Sequence, residues 1–132
     1  MQAHYLTLSF SHKNTSITLR EKLALPQHRL VPFVKSLRAI PSIKEVLLLS
    51  TCNRVEFYLY THTPQECIVA VLDAFAREIA LPLHILESHC HSALGQEAVH
   101  HIFSVVSGLD SIVLGETQIV GQMKEAYKLA LS

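Results

Sequence analysis

A chain of 132 residues with 49% hydrophobic content can bury one sizeable core, and nothing in it suggests a second independent domain. Its 11 basic residues cancel its 11 acidic ones, which excludes a global positive field of the kind that drives non-specific nucleic-acid binding; any RNA contact has to be local. Three cysteines, Cys52, Cys67 and Cys90, form no close-spaced pair, so a disulfide framework is not expected and a reducing, cytoplasmic setting is; no run is long enough to span a bilayer.

In chain order, Leu6-Thr7-Leu8-Ser9-Phe10 alternates apolar and polar residues and predicts a half-buried first strand. The polar run from Ser11 to Ser16 suits a loop, whose cations His12 and Lys13 are read first as a solvated tip. Leu19 to Leu23 predicts one or two helical turns that stop before Pro26. Leu30, Phe33, Val34 and Leu37 recur at helical spacing, with a helix expected either to begin near Pro32 or to kink there, and to run to about Ile40. Glu45 to Ser50 and Val55 to Tyr60 predict two central strands joined as a hairpin. Pro64 opens a helix with Ile68, Leu72, Phe75 and Ile79 on one stripe, and Leu83-His84-Ile85-Leu86 is expected to be a fourth strand.

Strand, helix, strand, strand, helix, strand is the order of the split βαβ, or ferredoxin-like, α+β fold, with helices on one face of an antiparallel sheet. The cluster Ser88-His89-Cys90-His91, with His84 nearby, lacks the second ligand pair that a structural zinc site needs, so an exposed loop and no metal are expected. Leu94, Ala98, His101 and Val105 then mark a further helix with His101 on its apolar stripe. A histidine there is ordinarily a core residue satisfied by one hydrogen bond; the alternative is an imidazole working at a closed site.

Two blocks carry chemistry. Ser50-Thr51-Cys52-Asn53-Arg54-Val55-Glu56 is a polar island between two apolar runs, which sets a thiol, a guanidinium and a carboxylate at the end of two strands. A cation such as Arg54 is the neighbour that turns a thiol into a nucleophilic thiolate, while the plainer reading is an inert buried cysteine beside a surface ion pair. The seven residues alone support both. The second block runs from Ser107 to Gln122, with polar residues interleaved among aliphatics and glycines; Gly108 and Gly115 are expected to end or start helices. The last helix, from about Glu116, meets the end of the chain without a stop signal, which suggests that more protein follows.

Together Ser50 to Glu56 and Ser107-Gly108-Leu109-Asp110-Ser111 through Leu114-Gly115-Glu116-Thr117-Gln118-Ile119-Val120-Gly121-Gln122 resemble the glutamyl-tRNA reductase family. Ser11-His12-Lys13 and Leu19-Arg20-Glu21 extend the likeness, so that residues 1–132 look like its N-terminal catalytic domain. Ser9, Asn14 and Ser16 stand where the family more often shows Gly, Thr and Pro.

The resemblance implies an oxidoreductase of tetrapyrrole biosynthesis. In it Cys52 attacks the aminoacyl ester of glutamyl-tRNA, and the glutamyl thioester is reduced to glutamate-1-semialdehyde by NADPH. That cofactor is held by a later domain, since no G-x-G-x-x-G occurs here. It also implies His101 as the active-site histidine, as base or positioning group, and Arg54 as partner of the substrate carboxylate. Thr51, Asn53, Ser111, Glu116, Gln118 and Gln122 are implied in the substrate pocket. A homodimer formed by a further domain, and transfer of product to an aminotransferase, belong to the same expectation. A non-catalytic ferredoxin-like binding module is the alternative, and a cysteine-hydrolase triad is disfavoured because no Asp or Asn is evidently placed to orient His101.

Overall fold

The computed structural model describes residues 2–11, 15–51 and 53–106, and the expectations that fall on Ser111, Glu116, Gln118, Gln122, the final helix and the first-loop cations lie outside them. Nine elements follow in order: β1 (His4–Ser11), α1 (Ile17–Leu23), α2 (Gln27–Arg38), β2 (Glu45–Ser50), β3 (Arg54–Thr61), α3 (Pro64–Ile79), α4 (Leu83–His89), β4 (His91–Leu94) and α5 (Gln96–Val106). The strands form one antiparallel sheet in the order β2-β3-β1-β4, the ferredoxin-like order.

Strand period two divides the sheet into two unlike faces. Leu6, Leu8 and Phe10 of β1, Val46 and Leu48 of β2, and Val55, Phe57 and Leu59 of β3 point into the main core. There they meet Leu30, Phe33, Val34 and Leu37 of α2 and Val71, Leu72, Phe75 and Ala76 of α3. Phe75 lies at its centre, with ring centroids 5.1 Å from Phe57, 5.8 Å from Phe33 and 6.0 Å from Phe10. On the other face Leu49 and Tyr58 pack with Val105 of α5, and Leu47 and Ile102 lean on them. That second face is polar for much of its area: Thr7, Ser9 and Ser11 stand directly across from Tyr58, Glu56 and Arg54.

Three expectations are corrected. β2, expected with β3 to be central, is an edge strand whose one neighbour among the described strands is β3; α2 packs on its inner face, which is why it reads as apolar as a central strand. Leu83 to Leu86 is the start of α4, not a strand: three apolar residues in four fit either period, and Leu83 and Leu86 three apart place one helical face on the core. The fourth strand is His91–Leu94, part of which was expected to be loop. As an edge strand it exposes His91 and Ser92 and buries only Ala93, so its hydropathy carries no strand signal. Gly95, at φ +68°, turns the chain from β4 into α5 while its amide donates to the Tyr5 carbonyl.

The second helix begins five residues before Pro32, at Gln27 after Pro26, and runs through Pro32 to Arg38. An Arg29 guanidinium nitrogen, 2.9 Å from Glu78 Oε2, ties it to α3.

Candidate functional site

Alternation along β3 aims Arg54, Glu56 and Tyr58 at the same side of the sheet, beneath α5. Glu56 is 0% and Arg54 1% exposed, so the ion pair is fully buried, against the plainer of the two sequence readings, which put it at the surface. Burying a carboxylate without partners would cost several kcal/mol, roughly, even after relaxation. Glu56 is instead surrounded by donors: Arg54 Nη1 lies 3.3 Å from Oε2, His101 Nε2 lies 3.0 and 2.9 Å from Oε1 and Oε2, and the Tyr58 hydroxyl donates to Oε1. The helix brings His101 there because Ala98, His101 and Val105 share its inner stripe, as the spacing predicts. The imidazole is more than a satisfied core group, since its side chain keeps 19% of its surface exposed while its Nε2 is bound to a buried carboxylate.

The Thr51 side chain ties the β2–β3 connection together. Thr51 Oγ1 accepts from the amides of Asn53 and Arg54, both at 3.1 Å, and the Thr51 amide donates to the Arg54 carbonyl at 2.8 Å. The residue enclosed by these bonds in sequence, Cys52, lies outside the described residues. On the far side of the connection, Arg20 of α1 donates through Nη1 to the Asn53 carbonyl at 3.1 Å. The structure thus brings Thr51, Asn53, Arg54 and His101 into one region, at the end of β3.

The two described thiols are poor nucleophiles. Burial pushes Cys67 up to about 11 against a lesser opposing bond from Thr61, and pushes Cys90 up to about 12 against one from the Ser9 backbone. Among the described residues no three His, Cys, Asp or Glu side chains are grouped to hold a metal, and no helix is long and apolar enough to cross a membrane.

Glu56 and Tyr58 were missed as site residues, as was Arg20. The signal for the first two was present: Arg54, Glu56 and Tyr58 are spaced by two within a strand expected to be central, where each polar side chain demands a partner. Glu56 takes the orienting position that no Asp or Asn evidently filled. Arg20 had no local signal, because a lone arginine on a short helix is ordinarily solvated.

A family model described as "Glutamyl-tRNAGlu reductase, N-terminal domain" matches residues 8–132. The chain is 44% identical over 130 residues to glutamyl-tRNA reductase of Helicobacter hepaticus, with 98% of this chain and 30% of that protein covered. It is 46% identical over 127 residues to that of a Nitratiruptor species, with 96% and 29% covered. Among solved structures, glutamyl-tRNA reductase from Methanopyrus kandleri superimposes with a TM-score of 0.71 at 27% identity, over 96% of this chain and 28% of that one. The chain therefore spans less than a third of the length of these relatives.

Proposed function

This chain belongs to the glutamyl-tRNA reductase family, as a match to its N-terminal domain, and from that premise we propose that it is the acyl-accepting part of a reductase acting on glutamyl-tRNA. The step assigned to it is transfer of the glutamyl group from the tRNA 3′ end to Cys52. The thiolate attacks the ester carbonyl carbon, a C–S bond forms, the C–O bond to the ribose breaks, and the leaving oxygen takes up a proton.

His101 is suited to deliver that proton. Its Nε2 is held by the Glu56 carboxylate, which fixes the ring at the end of the strand. Arg54 is assigned to the free side-chain carboxylate of the glutamyl group, with Glu56 holding the guanidinium in a fixed plane. Thr51 fixes the connection that carries the thiol, and Asn53, Ser111, Glu116, Gln118 and Gln122 complete the substrate pocket. When bound by the remainder of a longer protein, NADPH would supply the hydride that converts the thioester to glutamate-1-semialdehyde and returns Cys52 as thiolate. Dimerisation and hand-over of the aldehyde to an aminotransferase are assigned to that remainder as well.

The observation that carries this reading is the buried Glu56 network joining Arg54 and His101 beside the Thr51–Arg54 connection. A binding module has no need to bury a carboxylate under three donors at the end of a strand. Intact-mass measurement after brief mixing with glutamyl-tRNA, acid-quenched and without NADPH, tests it. A hydroxylamine-labile glutamyl adduct is expected on the parent chain and not on Cys52→Ser. The same adduct on both would refute Cys52 as acceptor, and none on either, with no glutamate released, would favour a non-catalytic module.

A further inference from the structure

The charges of this neutral chain are sorted in space. Residues 20–44 carry six of the 11 Lys and Arg side chains and, in Glu21, one of the 11 Asp and Glu; residues 62–97 carry five acidic side chains and, in Arg77, one such basic one. The first stretch supplies α1, α2 and the lead into β2, and the second supplies α3, α4 and the start of α5. Because α2 packs on β2 at one edge of the sheet, while α3 packs on β1 and α4, the two signs fall on different sides of the domain.

Two of the six cations are already engaged: Arg29 pairs with Glu78, and Arg20 is buried with its Nη1 on the Asn53 carbonyl. Lys35 and Arg38 of α2, and Lys44 just before β2, are exposed, and among the described residues no ion pair joins them to a carboxylate. Lys35 and Arg38 stand three apart in the last turn, so they are neighbours on the helix surface. They lie roughly 120° and 180° round the helix from Arg29, which turns to α3, so their flank faces the outer edge of the sheet. Turns closed by the Ile40 amide on the Leu37 carbonyl and the Ile43 amide on the Ile40 carbonyl bring Lys44 back to the same end. Glu45, next in sequence, does not cancel it: Val46 and Leu48 face α2, so strand alternation puts Glu45 on the opposite face.

The helix dipole accounts for cations in a last turn, but not for Lys44. Nor does it account for a helix without one acidic residue, even in the first turn where the dipole favours one. Local unpaired cations on a neutral chain are what contact with a phosphate backbone needs. The six residues of β2, at about 3.3 Å each, set Lys44 roughly 20 Å from the Thr51–Arg54 connection. A stacked strand advances about 3.4 Å per phosphate, so an RNA with its 3′ end at the connection brings roughly its sixth phosphate to the cluster.

We infer that Lys35, Arg38 and Lys44 are the docking surface for the acceptor-arm phosphates of the tRNA substrate, which lies along the outer edge of β2. The inference rests on the reading of the chain as acyl acceptor from glutamyl-tRNA and adds the direction from which the substrate approaches. Contacts of this kind set affinity and orientation and do not select a base sequence.

The test uses the full chain and two acyl donors: glutamyl-tRNA, and the glutamyl ester of adenosine, which keeps the reacting ester and lacks the arm. Binding of uncharged glutamate-specific tRNA is followed by fluorescence anisotropy from 50 to 200 mM salt. With three cations at a slope of about 0.7 to 0.9 each, the parent's affinity should fall roughly 20- to 40-fold over that range. Lys35→Gln, Arg38→Gln and Lys44→Gln should each lower the slope by about one, and the triple variant should flatten it. Adduct formation from subsaturating glutamyl-tRNA should fall about tenfold or more in the triple variant, while the adenosine ester, which reports a folded site, reacts as in the parent. Arg77→Gln removes an exposed cation from the acidic side and should change neither readout. An unchanged salt slope in the triple variant would overturn the inference. So would a loss from Arg77→Gln equal to that of the single variants, or anionic phospholipid vesicles bound in preference to tRNA through the same three side chains. Cation-dependent tRNA binding with no adduct from either donor refutes acyl transfer and leaves the docking surface standing; adduct from the adenosine ester without such binding does the reverse.

Discussion

Replacing Glu56 by Gln alters one atom and one charge, and the fold makes its cost calculable. The carboxylate accepts from Arg54, Tyr58 and His101 while 0% exposed. An amide of the same shape turns one acceptor into an NH2 that faces donors, and Arg54, 1% exposed, loses its counter-charge. Breaking a buried pair by neutralising one partner costs about 3 to 5 kcal/mol, a large share of the roughly 5 to 15 kcal/mol that stabilises a domain. For a chain of this length that corresponds to a fall in Tm of roughly 11 to 18 °C.

Urea unfolding of the parent, Glu56→Gln, His101→Gln and the double variant gives the second quantity. The two sites share a bond of 2.9 Å, so a coupling of about 1 to 3 kcal/mol is expected between them. Glu56→Gln should also lose glutamyl transfer under conditions where it remains folded, because His101 is no longer held by a carboxylate. A Glu56→Gln chain that unfolds within about 0.5 kcal/mol of the parent, with additive effects in the cycle, would refute the account of the network.

Two further predictions concern the scaffold. Cys67 is 0% exposed and raised from 9.0 to about 11, so the folded state keeps its proton where the unfolded state loses it; the stability it contributes is complete below pH 9 and lost as pH rises toward 11. Unfolding at pH 8 and pH 10.5 should therefore show a loss on the order of 2 kcal/mol that is missing in Cys67→Ala, and equal pH slopes for the two would refute it. Ala80 closes α3 in the left-handed region at φ 55°, so Ala80→Gly should raise stability, by up to about 1 kcal/mol in a thermal melt; a lower Tm would show that the methyl group's packing outweighs its strain.

How far the sequence reveals the molecule depends on whether a residue's neighbours along the chain are also its partners. The second strand, Glu45–Ser50, is read to the residue, and the first and third within two residues at either end, because their alternation is local. The stripe that turns His101 inward is local too. The edge strand is not, since His91 and Ser92 form a strand only by pairing with β1, whose sequence lies far away. The site divides along the same line. The polar island is visible as a string, and the spacing of Arg54, Glu56 and Tyr58 shows a shared face. That a helix 45 residues later provides the third donor to Glu56, or that Arg20 reaches Asn53 across 33 residues, is decided by tertiary packing alone.

The pairing of β1 with β4 also orders events during synthesis. Ser9 bonds the His91 carbonyl across 82 positions, whereas β2 and β3 meet through a connection of a few residues. A growing chain can zip the β2–β3 hairpin and add β1 while the last strand is still inside the ribosome. It cannot cover the polar face of the sheet until α5 has emerged. Until then Glu56 and Arg54 are hydrated, so the charges are desolvated only when His101 arrives to share the carboxylate, and among the described residues this polar face leaves water after the main core.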